Sequence, residues 1–348
     1  MFAILKARPE RGLSDADVES PAAPGPGEVE IAVSMAGVCG TDFHIWKWDE
    51  WSSRRVKPPM VVGHEFVGRV TRVGDGVSHF APRQRVSCEC HVTCGHCRLC
   101  RTGRAHLCRE TSIIGVDRAG AFAERVVVPA RNVWAVHDAI PDHHAAVFDP
   151  CGNAMHSATI VPLAGRDVLI TGAGTIGLFS IGIARSHGAR KVMVTEPSPY
   201  RAELARALGA DLVADPREPK TREQILATTD GQGPEIVLEM SGNAGALRSA
   251  LEVASNGAHV VLLGLPGSDV TLDLAETVIM KGATLHGVTG RRMFETWYDV
   301  SAFMLRNPQV MDRILTHRLA AEDYASGFDL IAAGNCGKVL LDFRKDAA

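Results

Sequence analysis

Apolar and polar positions follow one rhythm up to about Ala146 and another from Arg166 onward. In the first stretch, apolar residues come in short β-type runs broken by Gly and Pro. These are EVEIAVSMAG (ending at Gly37), GRVTRVG (68–74), QRVSCE (84–89) and AFAERVVVPA (121–130). Irregular spacing of this kind predicts a β-rich unit with long loops. From Arg166 strands and helices alternate. RDVLIT precedes the helical TIGLFSIGIARSHGA, KVMVTE precedes PYRAELARALGA, and PEIVLEMS, AGALRSALEVA, AHVVLLG and ATLHGVT follow. That alternation predicts βαβ units, a parallel sheet and, with right-handed crossovers, a doubly wound α/β unit. After Arg291 two more helical segments, MFETWYDVSAFML and AEDYASGFDLIAAG, lead to a last strand, KVLLDF. Pattern alone leaves open which unit that strand joins.

The length of 348 residues fits about two domains at roughly 150 residues each. With 37 basic and 40 acidic residues the formal charge is −3, and no basic excess or stripe speaks for a nucleic-acid partner. No apolar run reaches the roughly 18 residues of a transmembrane helix. The four-residue apolar run at the N-terminus is too short for a signal-peptide core. A soluble, cytoplasmic protein without a membrane partner is expected.

Nine cysteines change that plain picture. Cys88, Cys90, Cys94, Cys97, Cys100 and Cys108 crowd into 21 residues, while Cys39, Cys151 and Cys336 stand apart. An odd count without an export signal points to metal or catalysis rather than a disulfide framework. Cys94-x2-Cys97-x2-Cys100-x7-Cys108 offers four thiolates in one loop, which is the closed tetrahedral set of a structural zinc. His91, His96 and His106 are then surplus and read as solvated loop residues, and Cys88 and Cys90 as strand residues. A second, dispersed set is Cys39 with the His64-Glu65 pair. A cysteine, a histidine and a carboxylate with a fourth position open is what a catalytic zinc requires. Spacing alone leaves this reading level with an ordinary surface His-Glu pair. Asp149 is either a further carboxylate for that site or a turn residue before Pro150.

Gly172-Ala173-Gly174-Thr175-Ile176-Gly177 follows the strand VLIT directly and fits the G-x-G-x-x-G turn. Its glycines permit a tight turn, close approach of a pyrophosphate and helix-on-strand packing. Glu196 closes the next strand 19 residues past Gly177, where a carboxylate accepts from ribose hydroxyls and repels a 2′-phosphate. NAD is expected over NADP, although Arg201 nearby is of a type that also accommodates a 2′-phosphate.

Taken together, GHE-x2-G-x5-G (Gly63 to Gly74), Cys39-Gly40-Thr41-Asp42, the four-cysteine lobe and the later glycine turn resemble the zinc-containing medium-chain dehydrogenase/reductase family. The segments HIWKWDEW, TCGHCRLCRTGRAHLC, FDPCGN and RRMFETWY are most similar to its branch that oxidises L-threonine. The resemblance implies a GroES-like catalytic domain over 1–147 with a zinc lobe near 88–110. It further implies a Rossmann NAD-binding domain over 148–291 and a C-terminal segment, 292–348, returning to the first domain. It implies two zinc ions per chain: a catalytic one on Cys39, His64 and Glu65, and a structural one on Cys94, Cys97, Cys100 and Cys108. Thr41 and His44 match the family's proton relay through the nicotinamide ribose, and Asp149 its acidic residue beside the metal. Gly172, Gly174, Ile176, Gly177, Glu196 and Arg201 match cofactor positions, with Leu263, Gly264, Leu265, Val288 and Thr289 toward the nicotinamide. The implied reaction is NAD-dependent oxidation of the secondary hydroxyl of L-threonine to 2-amino-3-oxobutanoate, in a homotetramer. A zinc polyol or 2,3-butanediol dehydrogenase is the alternative, and a non-catalytic zinc scaffold a remote one. Two departures stand out: Arg83-Gln84-Arg85-Val86 replaces a Gly-Asp-Arg-Val turn, and Cys151 replaces a bulky residue.

Overall fold

The computed structural model describes residues 1–344. A seven-stranded sheet organises the first unit, in the order Val133–Ala135, Arg85–Cys88, Glu65–Val73, Glu28–Gly37, Val339–Asp342 and His317–Ala320. Arg125–Pro129 also pairs with Glu28–Gly37, which is therefore the central strand. Val29, Ile31 and Val33 alternate along it and are buried in one core, as a strand packing one face on a core requires. Register slips at Glu30/Ile31 and Val33/Met35 bend it.

The second unit is a six-stranded parallel sheet in the order Leu212–Ala214, Lys191–Thr195, Asp167–Thr171, Ile236–Glu239, His259–Leu262, Thr284–Gly287. All five residues of Asp167–Thr171 are buried, because helices cover both faces. Chain order reverses beside this strand, and the crevice at its carboxyl end is where such sheets bind ligands. The expected doubly wound α/β architecture beside a β-rich unit is what the chain adopts.

The last strand, Val339–Asp342, pairs antiparallel with Glu28–Gly37 and so returns to the first unit. The helices Glu295–Arg306 and Pro308–Ile314 bury Trp297, Phe303, Met311 and Ile314 in the same core as Phe148 and Phe179. Trp297 lies flat on Phe148, with ring centroids 5.0 Å apart at 12°. Phe148 opens the helix Phe148–Ala158, which tolerates Pro150 because its first turn has no hydrogen bond to lose. Cys151, on this helix, is fully buried, and burial pushes its thiol far up; it packs as a small apolar residue. Arg83 takes φ +74°, so the turn keeps a left-handed conformation despite the missing glycine. Among the described residues no helix is long and apolar enough to cross a membrane.

Candidate active site

Cys39 caps the helix Gly40–Lys47, and its backbone N–H donates to Asp42 Oδ2 at 2.9 Å. That helix lifts Thr41 beside the thiol, with Oγ1 3.7 Å from Cys39 Sγ. It also puts Thr41 and His44 three residues apart on one side. His64 precedes, and Glu65 begins, the strand Glu65–Val73, and Cys39, His64 and Glu65 bring their ligand atoms within 4.8 Å of one another. Burial by itself would push the His64 imidazole down, but Cys39 and Asp42 facing it carry it up to about 10. A thiol, an imidazole and a carboxylate thus meet in one largely buried pocket, a donor set that suits a cation. Glu65 Oε1 and Asp149 Oδ2 are buried there without a hydrogen-bond partner among the described residues. Orphaned buried oxygens of this kind are costly unless a ligand meets them, so the donor set fits a zinc ion.

The lobe cysteines converge as their spacing predicts. Their sulfurs stand 3.5 Å (Cys94–Cys108), 3.9 Å (Cys94–Cys100) and 4.0 Å (Cys97–Cys108) apart. Four sulfurs about 2.3 Å from a central zinc would be separated by about 3.8 Å. Amides turn inward as well: Cys97 N–H donates to Cys94 Sγ and Cys100 N–H to Cys97 Sγ. Desolvation opposes ionisation of Cys108, yet the Cys94 and Glu110 amides bring its thiol down to about 7. The four thiols are complete without His91, His96 or His106. Cys88 ends the strand Arg85–Cys88, while Cys90 lies just beyond it, and both are buried away from the lobe set.

Between the sheet's strand ends and the glycine turn runs a cleft of ≈ 590 Å³, lined by Gly172, Gly174, Glu196, Arg201, Arg217 and Asn243 among others. Gly172 takes φ +85°, and a Cβ on Gly177 would stand 2.0 Å from Gly172 O, so helix and turn touch there through glycine. Glu196 is nearly buried; its Oε2 accepts from Ala173 N–H at 2.6 Å and its Oε1 from Ser198 N–H at 2.8 Å. It therefore braces the turn as well as facing the cleft. Ile176 packs on the core instead of lining the cleft. Leu263, Gly264 and Leu265 follow the strand His259–Leu262, and Val288 and Thr289 follow Thr284–Gly287. They sit at the same carboxyl edge but outside the cleft wall.

Further residues of the site carry no mark in the sequence. Lys338 is fully buried, pairs with Glu65 Oε2 and donates to Val38 O at 2.7 Å. A Cβ on Gly37 would stand 2.3 Å from Glu65 Oε2 and 2.9 Å from Lys338 Cε, so only glycine leaves room for that pair. Asp42 is buried behind His64, and burial raises its carboxyl. Arg291 donates to Asp149 Oδ1 at 2.8 Å and to Glu89 Oε2 at 2.8 Å, all three being buried. Trp297 Nε1 also donates to Glu89 Oε2, at 3.0 Å. Arg291 and Trp297 lie in the quoted segment RRMFETWY, but nothing in it marks partners some 140 to 210 positions away.

Residues 25–138 match the family described as alcohol dehydrogenase GroES-like domain, and residues 175–306 the one described as zinc-binding dehydrogenase. The chain is 47% identical to an L-threonine 3-dehydrogenase of Anaeromyxobacter dehalogenans, over 99% of each chain. It is 43% identical to one of Pyrococcus horikoshii, over 98% of each. Among solved structures, a short chain alcohol dehydrogenase from E. coli CFT073 complexed with NADH superposes with a TM-score of 0.89 at 28% identity, covering 99% of both chains. Galactitol-1-phosphate dehydrogenase from Escherichia coli gives 0.90 at 26% identity, covering 98% of this chain and 100% of that one. With relatives this similar from end to end, the chain belongs to the zinc-containing medium-chain dehydrogenase/reductase family.

Proposed function

We propose that the chain is an L-threonine 3-dehydrogenase, oxidising the secondary hydroxyl of L-threonine to 2-amino-3-oxobutanoate with NAD⁺. The observation that carries this is end-to-end identity of 43–47% to relatives bearing that name. The convergence of Cys39, His64, Glu65 and Asp149 supports it. A zinc ion on Cys39, His64 and Glu65 would supply Lewis acidity toward the hydroxyl, and the nicotinamide would accept the hydride. A second zinc on Cys94, Cys97, Cys100 and Cys108 would hold the lobe without taking part in chemistry. Lys338 offsets the charge of Glu65 and holds one of its oxygens, leaving Oε1 for the pocket. Arg291 occupies Asp149 Oδ1 and leaves Oδ2 facing the reacting centre. Thr41 Oγ1 would accept the proton that the hydroxyl loses as it donates its own through the nicotinamide ribose to half-exposed His44, which would pass it to water. Gly172, Gly174, Glu196 and Arg201 would hold the adenosine diphosphate half, with Leu263, Gly264, Leu265, Val288 and Thr289 nearer the ring.

We also propose domain limits of 1–147, 148–291 and 292–348, the last supported by its strands His317–Ala320 and Val339–Asp342 joining the first sheet. The assembly we propose is a cytoplasmic homotetramer. Self-association is supported by Ile279 and Met280, each exposed at 72% just before the last strand of the parallel sheet. The reaction is tested by comparing L-threonine, sorbitol and 2,3-butanediol at fixed NAD⁺, following NADH absorbance. The expected result is kcat/KM at least about 100-fold higher for L-threonine, since a site built for polar groups rejects analogues lacking them. Faster turnover of either diol or polyol overturns the assignment.

A further inference from the structure

The helix Gly40–Lys47 ends at Trp48, whose backbone takes φ 58°, ψ 48° and whose N–H donates to His44 O at 3.0 Å and Ile45 O at 3.2 Å. A bulky residue in the left-handed region is strained, and such strain collects where a fold must aim a functional group. The indole is pinned: Lys6 Nζ lies 4.7 Å over its ring, and it packs against the first unit's core. The consequence is a sharp reversal that folds residue 49 back onto the helix it has just left.

There Asp49 Oδ2 meets His44 Nδ1, while Asp49 Oδ1 accepts from Ser52 N–H at 3.0 Å. Two contacts in different directions fix the carboxylate. The Trp51 ring stands edge-on to the imidazole at 6.1 Å and 63°. His44 Nε2 has no hydrogen-bond partner among the described residues. Of the charged neighbours, Lys47 is turned onto the Phe43 ring at 4.4 Å, and Glu50 pairs with Arg54. Asp49 alone pairs with the imidazole.

We propose that Asp49 is a positioning residue for His44, fixing the tautomer with its proton on Nδ1 so that Nε2 is the base that receives the relayed proton. The inference rests on reading His44 as the relay's exit. An aspartate hydrogen-bonded to Nδ1–H orients the ring and stabilises the imidazolium without becoming protonated itself. The proton arrives at Nε2 and leaves from Nε2 to water, while Nδ1–H stays donated to Asp49 throughout. The Ser52 amide and His44 hold the Asp49 carboxyl below its usual range in spite of partial burial, so it is ionised whenever His44 works.

Asp49 also caps the helix Glu50–Arg55, and the test must separate that duty from positioning. Asparagine caps as well as aspartate, so Asp49→Asn keeps the cap and removes the charge. In the zinc-loaded enzyme, Asp49→Asn is expected to lower kcat about tenfold and to move its acid limb to lower pH, as loss of a neighbouring anion should. Tm and NAD⁺ affinity stay unchanged, and Asp49→Glu recovers part of the loss. In a His44→Ala background, Asp49→Asn adds nothing further, because Asp49 acts only through the imidazole. An Asp49→Asn enzyme with normal kcat and acid limb overturns the proposal, as does an equal loss in the His44→Ala background. If His44→Ala itself leaves kcat and the limb unchanged, the relay reading falls and the role of Asp49 with it.

Discussion

Glu196 shows how one side chain serves two links at once. Its carboxylate closes the second strand of the parallel sheet and simultaneously accepts the amides of Ala173 and Ser198. Glu196→Ala would therefore remove the proposed ribose contacts and a brace on the glycine turn together. Hydrogen bonds to a charged group are worth about 1.5–3 kcal/mol, so kcat/KM for NAD⁺ should fall about 10- to 100-fold. The value for NADP⁺ should fall less, because a repulsive charge disappears with the contacts. Steady-state kinetics with both cofactors checks this, and an unchanged NAD⁺/NADP⁺ ratio would contradict it. Residues of this kind were legible in the sequence because their partners are local: a turn and the strand end beside it, or four thiols in one loop that no apolar strand would explain. Lys338, Asp42, Glu89 and Arg291 were not, since each is defined by a partner on a distant element. Lys338 reads as an ordinary strand-edge lysine until the strand Val339–Asp342 is laid beside Gly37.

Elements were legible wherever a period could run its length. The strands of the parallel sheet and the helices between them repeat over enough residues to declare themselves. Met60–Val61, His91–Val92 and Ser112–Ile113 are two-residue strands and carry no period at all. Phe148–Ala158 was hidden by Pro150 and Gly152, although a helix start tolerates the first. The helices after residue 291 declare themselves by amphipathicity, which marks a buried face without saying which core buries it. Turns carry their own signal, and Arg83 breaks it. Its φ of +74° costs about 1 kcal/mol in an arginine and little in a glycine. Its backbone bonds, N–H to Val70 O at 2.7 Å and O from Arg69 Nη1 at 3.0 Å, survive replacement of the side chain. Relief of that strain gains about 1 kcal/mol and the extra backbone entropy of glycine costs about 0.4–1 kcal/mol, so Arg83→Gly is expected to leave stability in urea denaturation equal to the parent's or higher by up to about 0.6 kcal/mol. Loss of stability would mean that the arginine side chain holds the turn by a contact of its own.

At the scale of the molecule, two cores meet across one buried cation. Arg291 follows the parallel sheet, yet its guanidinium spans Glu89 of the first unit and Asp149 of the second. Arg291 and Glu89 are at most 1% exposed and Asp149 is 4% exposed. Burial disfavours the charge on Glu89, but Arg291 wins and holds that carboxyl well below its usual range. Removing the cation leaves two buried carboxylates facing each other, a change that costs about 3–5 kcal/mol when an ion pair is broken from one side. Arg291→Met, of similar length and unable to pair, should lose about that much. The loss should depend on pH in a definite direction. Without the arginine, Glu89 keeps only His91 and Trp297 and faces Asp149 directly, so burial and like-charge repulsion raise the pair's hold on a proton in the folded state, and folding then takes up a proton. The variant's deficit is therefore smaller near pH 5.5 and grows as pH rises toward 8. The parent carboxylate is already ionised in both states over that range and adds no such slope. Urea denaturation of both proteins at pH 5.5, 7 and 8, with metals retained, reads the deficit directly. A loss below about 1 kcal/mol at every pH would show that the units are joined by the Trp297–Phe148 stack and its neighbours rather than by the arginine. A large but pH-independent loss would instead mean that water enters the gap and hydrates both carboxylates, opening the site that lies between the units.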